Sequence, residues 1–313
     1  MAGMERTRRF LEGLGLPGRD LDELPSSPKR FPDGAQYRVE IPSVEGPRVM
    51  EAVLEEAERL GVVVHRVSQG SGVLLLTGAE VRTMARLGAA ARVEVSLFAR
   101  PTASWGIGGL VGAPAGGVVA AKVRGQEGLV QCLEEVQRAA ELGIRSVLLT
   151  DEGTLWAAGE LRRAGLLPRG MQFKVSVLMG AANAAAVRLV VGLGADSYNV
   201  PTDLTLGQLA AIRAVVDVPL DVYVEGPDEV GGFVRYYEIA ELVRVCAPVY
   251  LKFGVRNAPG LYPAGRHLEA VAVELGRERV RRAAIGLELL GRYDPEAVGS
   301  GPGAAGLALP VVD

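Results

Sequence analysis

The feature that most constrains this chain is an eightfold alternation of strand and helix signals. Short β-branched runs are each followed by an amphipathic helical pattern. Strands are expected at 37–41, 62–68, 93–99, 145–151, 173–178, 196–200, 217–227 and 249–253. Helices are expected at about 46–60, 78–90, 127–142, 154–165, 181–193, 204–216, 229–245 and 265–291. Leu-Gly recurs at Leu60-Gly61, Leu87-Gly88, Leu142-Gly143 and Leu193-Gly194, shortly before a strand each time. Glycine there fits the left-handed turn that closes a helix. Strands joined through helices pair in parallel, and eight such units are the number that closes a TIM (β/α)8 barrel. An open doubly wound sheet is the alternative, but no GxGxxG follows the first strand. The expected organisation is an N-terminal accessory segment over 1–36, the barrel over 37–293 and a flexible, glycine-rich tail over 294–313.

Composition narrows the class of function. The chain has 313 residues and a net charge of -3, so it lacks the basic excess of a general nucleic-acid binder. No apolar run reaches the ~18–20 residues of a membrane span, and the N-terminus has no signal-peptide core. A cytoplasmic protein is expected. Two isolated cysteines, Cys132 and Cys246, read as buried reduced thiols. Histidine occurs only at 65 and 267, and no GxSxG is present, so a serine-hydrolase triad has no support.

Strand parity then assigns the barrel interior. The face packed on the helices must be aliphatic, so the alternate residues point inward. Inward positions are Arg38 and Glu40, then Glu94, Ser96, Phe98 and Arg100, then Lys174 and Ser176, then Asn199, then Asp221, Tyr223 and Glu225, and finally Tyr250 and Lys252. The second strand is ambiguous between His65 and the Arg66/Ser68 parity. Barrel interiors usually hold Val, Ile and Leu. Buried charges must pair, bind a ligand or meet water at the mouth. One reading is therefore a lattice of ion pairs, such as Arg38 with Glu94 or Lys174 with Asp221. The other is an active site at the C-terminal mouth.

On the second reading Glu225, Lys252, Tyr223 and Lys174 are the candidate catalytic groups. Glu40, Asn199, Arg256, Asn257 and Arg100 would bind substrate, with Arg256 and Arg100 clamping a carboxylate or phosphate. A lysine could form a Schiff base, a Tyr–Lys or Glu–Lys pair could move protons, and Glu40, Asp221 and Glu225 could hold a divalent metal. The glycine-rich stretch 101–126 reads as a mobile lid or a simple insertion. The expected ligand is a small anionic molecule. A homo-oligomer or a partner protein stays open.

The order of motifs also resembles a family. Thr150-Asp-Glu-Gly-Thr-Leu155, Lys174-Val-Ser-Val with Asn183, the segment Leu193 to Leu209, and Asp221-Val-Tyr-Val-Glu-Gly226 resemble, in that order, segments of the collagenase-like peptidase family U-thirty-two. The resemblance covers about 145–226. It implies a TIM barrel, and its name implies peptide hydrolysis. Other members resemble hydroxylation factors that work as parts of two-protein systems, which implies a non-catalytic accessory role as a further alternative. Those members carry a cysteine quartet for an iron–sulfur cluster after the seventh strand. This chain reads Glu225-Gly-Pro-Asp-Glu-Val-Gly-Gly232 there, so no cluster is expected.

Overall fold

A computed structural model describes residues 2–106 and 108–312. Eight parallel strands close into a barrel in sequence order. They are β1 (Tyr37–Pro42), β2 (Arg66–Ser68), β3 (Glu94–Phe98), β4 (Ser146–Leu149), β5 (Gln172–Val175), β6 (Ser197–Asn199), β7 (Leu220–Glu225) and β8 (Val249–Phe253). An N-terminal helix α1 (Ala2–Gly13) precedes them. The surrounding helices are α2 (Pro47–Leu60), α3 (Gly78–Ala91), α4 (Gly125–Glu141), α5 (Glu152–Arg163), α6 (Ala184–Gly192), α7 (Leu206–Val215), α8 (Ile239–Cys246) and α9 (Glu269–Tyr293). The expected TIM (β/α)8 barrel is the fold.

Local chemistry fixes the helix ends. Thr77 with Glu80, and Thr205 with Gln208, form capping boxes on α3 and α7. Asp151 and Asn183 cap α5 and α6 by accepting backbone N–H groups of Thr154 and Ala186. Two residues of the family-like motifs thus have a structural job. Gly61, Gly143 and Gly194 take positive φ as expected. Gly88 does not: α3 runs through it and ends at Arg92, φ 57°. A Cβ on Gly88 would lie 2.5 Å from a methyl of Val95, so that glycine serves close helix–strand contact.

The aliphatic parity packs outward. Val39, Ile41, Val95, Leu97, Val147, Phe173, Val175, Val222, Leu251 and Phe253 are buried in one continuous core with the inner helix faces. Strand 2 is shorter than expected, and it settles its own ambiguity: Arg66 and Ser68 face inward and His65 lies at its edge. His65 Nδ1 accepts the Val39 N–H at 3.0 Å, and Nε2 lies 2.9 Å from the Ser300 carbonyl. Burial pushes its pKa down to about 4. Both cysteines are buried, with their thiols pushed up to about 12 by desolvation.

The tail lies across the N-terminal end of the barrel and bonds to it. Ser300 Oγ and the Ala305 carbonyl accept from Arg38 at 3.0 and 2.6 Å, and Ala308 N–H reaches Glu94 at 3.2 Å. Further along, Val311 N–H bonds the Gly143 carbonyl. The 1–36 segment contributes to the same end: Phe31 meets the Tyr250 ring edge-on at 5.4 Å, and the Arg38 guanidinium lies 4.0 Å from the Phe31 centroid. A polar tail can cover this end because its carbonyls satisfy the buried arginine.

Candidate functional site at the C-terminal mouth

The middle of the barrel is an ion lattice of three carboxylates and three cations. Glu40 stands at its centre. It accepts from Lys174 at 2.9 Å, Lys252 at 3.2 Å, Arg66 at 3.2 Å and Ser68 at 2.7 Å. Arg66 also reaches Glu94 at 2.6 Å and Asp221 at 3.2 Å. Lys174 further contacts Asp221, which Ser197 also approaches. Burial pushes the Glu40 carboxyl up, but Lys174, Lys252 and Arg66 outweigh it and hold the group well below the usual carboxylate range. Burial lowers the Lys174 ammonium, and Asp221 and Glu40 oppose that shift. Tyr250 stacks beneath Arg66, with the guanidinium 3.6 Å from its centroid. Arg38 takes no part in the lattice and does not pair with Glu94; Arg66 does.

Above the lattice lies a cavity of about 390 Å³ at the C-terminal ends of the strands. This is where TIM-barrel sites are built. Its lining includes Lys252, Asn199 and Tyr223 with Ser68, Ser176 and Arg100. Lys252 Nζ contacts Asn199 Oδ1, lies 3.2 Å from Glu40 and stands 4.4 Å from the Tyr223 ring centroid. It therefore joins the lattice below to the space above. Burial pushes the Tyr223 phenol well above its ordinary value. Arg100 donates to the Gly70 carbonyl at 2.7 Å and lies 4.4 Å from the Trp105 ring. The stretch after β3 folds into short turns, and its Thr102, Ser104, Gly117, Ala120 and Ala121 wall one side of the cavity.

Of the candidate residues, the structure brings Lys252, Tyr223, Asn199 and Arg100 to this cavity. Glu40, Lys174 and Asp221 lie in the lattice and not in the cavity lining. Glu225 is not at the mouth. The pairing of β7 with β8 runs Tyr223 with Lys252, then skips Val224 and pairs Glu225 with Phe253. This β-bulge reverses the parity, so Glu225 takes the face of Phe253, toward the helices. There its carboxylate accepts the Tyr236 hydroxyl at 2.7 Å and the Arg256 N–H at 2.8 Å, and Arg282 of α9 lies 3.6 Å away. Arg256 is half exposed and paired with Asp228 at 2.9 Å, and Asn257 donates its N–H to the same carboxylate. Neither lines the cavity, so the expected Arg256–Arg100 clamp does not form. The metal set of Glu40, Asp221 and Glu225 is likewise split. Among the described residues, no group of three or more His, Cys, Asp or Glu could hold a metal ion.

A consequence can be tested at Glu225. Glu225→Gln is expected to lower stability by about 1–3 kcal/mol, because a buried charged acceptor with three partners is weakened. Ligand affinity at the mouth should stay unchanged. Urea denaturation beside ligand titration separates the two, and a loss of affinity without a loss of stability would return Glu225 to the site.

Fold and site define a (β/α)8 barrel with a charged interior and a cavity at its C-terminal mouth. No protein-family model matches the sequence, and no curated protein matches it. Its similarities are to solved structures. One is a U32 peptidase, at 16% identity over 64% of this chain and 73% of that chain, with a TM-score of 0.38. A second, from Coccidioides immitis, is provisionally named a fructose-1,6-biphosphate aldolase, at 15% identity over 82% and 92%, with a TM-score of 0.49. A third, from Burkholderia cenocepacia J2315, is provisionally named a lyase/mutase, at 16% identity over 88% and 87%, with a TM-score of 0.44. None of them assigns this chain to a family. No described helix is long and apolar enough to cross a membrane.

Proposed function

We propose that this barrel is an enzyme acting on the carbonyl group of a small anionic substrate at its C-terminal mouth, with Lys252 as the reacting amine. The observation that carries the reading is the position of Lys252. It alone among the lattice cations lines the cavity, where its amine can meet a ligand, while Glu40 anchors it from below. Once the ammonium has given its proton to water in the cavity, the neutral amine attacks the carbonyl carbon. A C–N bond forms, the carbonyl oxygen leaves as water, and an imine results. Asn199 and Tyr223 orient the amine from two sides. Lys252 and Arg100 supply positive charge to the lining, against the single carboxylate of Glu229, which suits an anionic ligand. Peptide hydrolysis is less well supported, since the carboxylate set that could have held a metal is split by the bulge.

The test is reductive trapping. Borohydride added with a short 2-keto acid should reduce the imine to a stable amine and add the ligand mass at Lys252, located by peptide mass spectrometry. Lys252→Met should abolish the adduct. No adduct with any keto acid or aldehyde, or an adduct spread over surface lysines, would overturn the reading.

A further inference from the structure

Arg279 of α9 was not among the residues singled out from the sequence, yet two of its guanidinium nitrogens are buried without a partner. It is 4% exposed. Its Nε and Nη1 are buried without a hydrogen-bond partner, and among the described residues it forms no ion pair. The groups it acts on electrostatically are Tyr262, Glu45, Tyr223 and Glu229. Three of these, Tyr262, Tyr223 and Glu229, line the cavity. Glu45, the buried carboxylate nearby, is already engaged: it accepts the N–H groups of Gly70 and Ser71 at 2.8 and 2.9 Å. Arg279 is therefore coupled to Tyr262, Tyr223 and Glu229 of the cavity lining and to the buried Glu45, without a direct ion pair to either carboxylate.

A second cation at the cavity shows the same deficit. Arg100 lines the cavity, its Nε is buried without a partner, and it too forms no ion pair among the described residues. Its guanidinium lies 5.8 Å from the Tyr262 ring centroid. Tyr262 is held in place: its hydroxyl bonds Ser43 Oγ, and its ring fills the space where Gly70 lacks a Cβ, which would sit 2.4 Å from the ring. This side of the cavity is thus built around Tyr262, and both Arg100 and Arg279 keep guanidinium nitrogens without a hydrogen-bond partner. Leaving a buried charge unpaired is costly, and an anion arriving from outside removes that cost.

We propose that the substrate carries a second anionic group, bound by Arg100 beside Tyr262, and that Arg279 is a positioning residue whose charge favours it through its coupling to that lining. The chemical class is a short dicarboxylate or a phosphorylated carboxylate or carbonyl compound, with one end at Lys252 and the other at Arg100. This rests on the assignment of the mouth cavity as the site, but not on imine chemistry.

The test compares chain-matched monoanions and dianions by calorimetry on the intact protein: butyrate against succinate, and valerate against glutarate. Each dianion should bind at least about tenfold more tightly than its counterpart, the scale of one charge-assisted contact. Arg279→Met should reduce that preference to less than about threefold while monoanion affinity holds, and Arg279→Lys should restore it. A purely structural arginine would weaken both ligands equally, or lower the melting temperature with the preference intact; either result overturns the proposal. So does a wild-type protein that binds monoanions as tightly as dianions. Failure of borohydride trapping with the dianion preference intact would remove the imine reading and leave this one standing.

Discussion

Glu40→Gln is expected to lower the free energy of unfolding by about 3–5 kcal/mol, the cost of removing one partner from a buried ionic cluster. Glutamine keeps the volume, so cavity formation plays no part. What changes is charge. Glu40 faces Lys174, Lys252 and Arg66 at once, with Ser68 as its fourth partner. Without its charge, three cations share Asp221 and Glu94. Urea denaturation measures the loss. The double variant Glu40→Gln with Lys174→Met should recover part of it, because removing a cation restores the balance, and contacting residues are not additive. A single-variant loss below about 1 kcal/mol would mean that the lattice charges are not coupled in this way.

Deleting residues 299–313 is expected to have an effect of similar size. The tail carries the groups that satisfy the polar N-terminal end of the barrel. Arg38 would lose Ser300 Oγ and the Ala305 carbonyl, His65 would lose the Ser300 carbonyl, and Glu94 would lose the Ala308 N–H. Hydrogen bonds to charged groups contribute about 1.5–3 kcal/mol each, so the combined loss is on the order of 5 kcal/mol and exceeds that of most single substitutions. A second readout is specific to this mechanism. Burial holds His65 at about 4, so exposing it should move its titration toward the ordinary ~6.5. Histidine NMR can follow this, since the sequence has only two histidines. Unchanged melting with unchanged His65 titration would refute the role given to the tail.

The barrel was legible because its outward face obeys a simple rule. Val39, Val95, Phe173, Val222 and Leu251 alternate with polar residues, and in β7 the period holds as far as Tyr223. β8 matches its expected bounds at Val249–Phe253. β2 does not, because only Arg66–Ser68 pair, and three residues cannot display a period. Likewise 177–178, read as strand, turn into a short 3-10 segment after Ser176 accepts the Leu178 N–H. The helix expected from 229 starts at Ile239, since Gly231 and Gly232 take positive φ ahead of it.

The site was legible only in part. Lys252, Tyr223 and Asn199 followed from parity. Glu225 did not, because a bulge leaves no mark in an unbroken run of strand-forming residues. Arg279 could not be found from parity at all. It sits on a helix among Arg277, Glu278, Arg281 and Arg282, where an arginine normally reads as solvated surface. The only signal was its place on the inward face of α9, three residues after Gly276, where a Cβ would lie 3.0 Å from Val53. The tail's contacts were hidden for a related reason: its glycines and alanines offer backbone carbonyls, and a buried arginine needs acceptors more than it needs side chains.

The bulge in β7 also sets the sign of the mouth. One unpaired residue, Val224, shifts the strand by half a period, so the same alternating sequence presents carboxylate inward at Asp221 and outward at Glu225. With Glu225 facing in, Lys252 would have met a second carboxylate and the cavity an added negative charge. Turned outward, that carboxylate secures Tyr236 and the loop backbone at Arg256, and the cavity lining keeps Lys252 and Arg100 with Glu229. A single residue of backbone phase thereby separates the chemistry of the pore from the scaffolding around it.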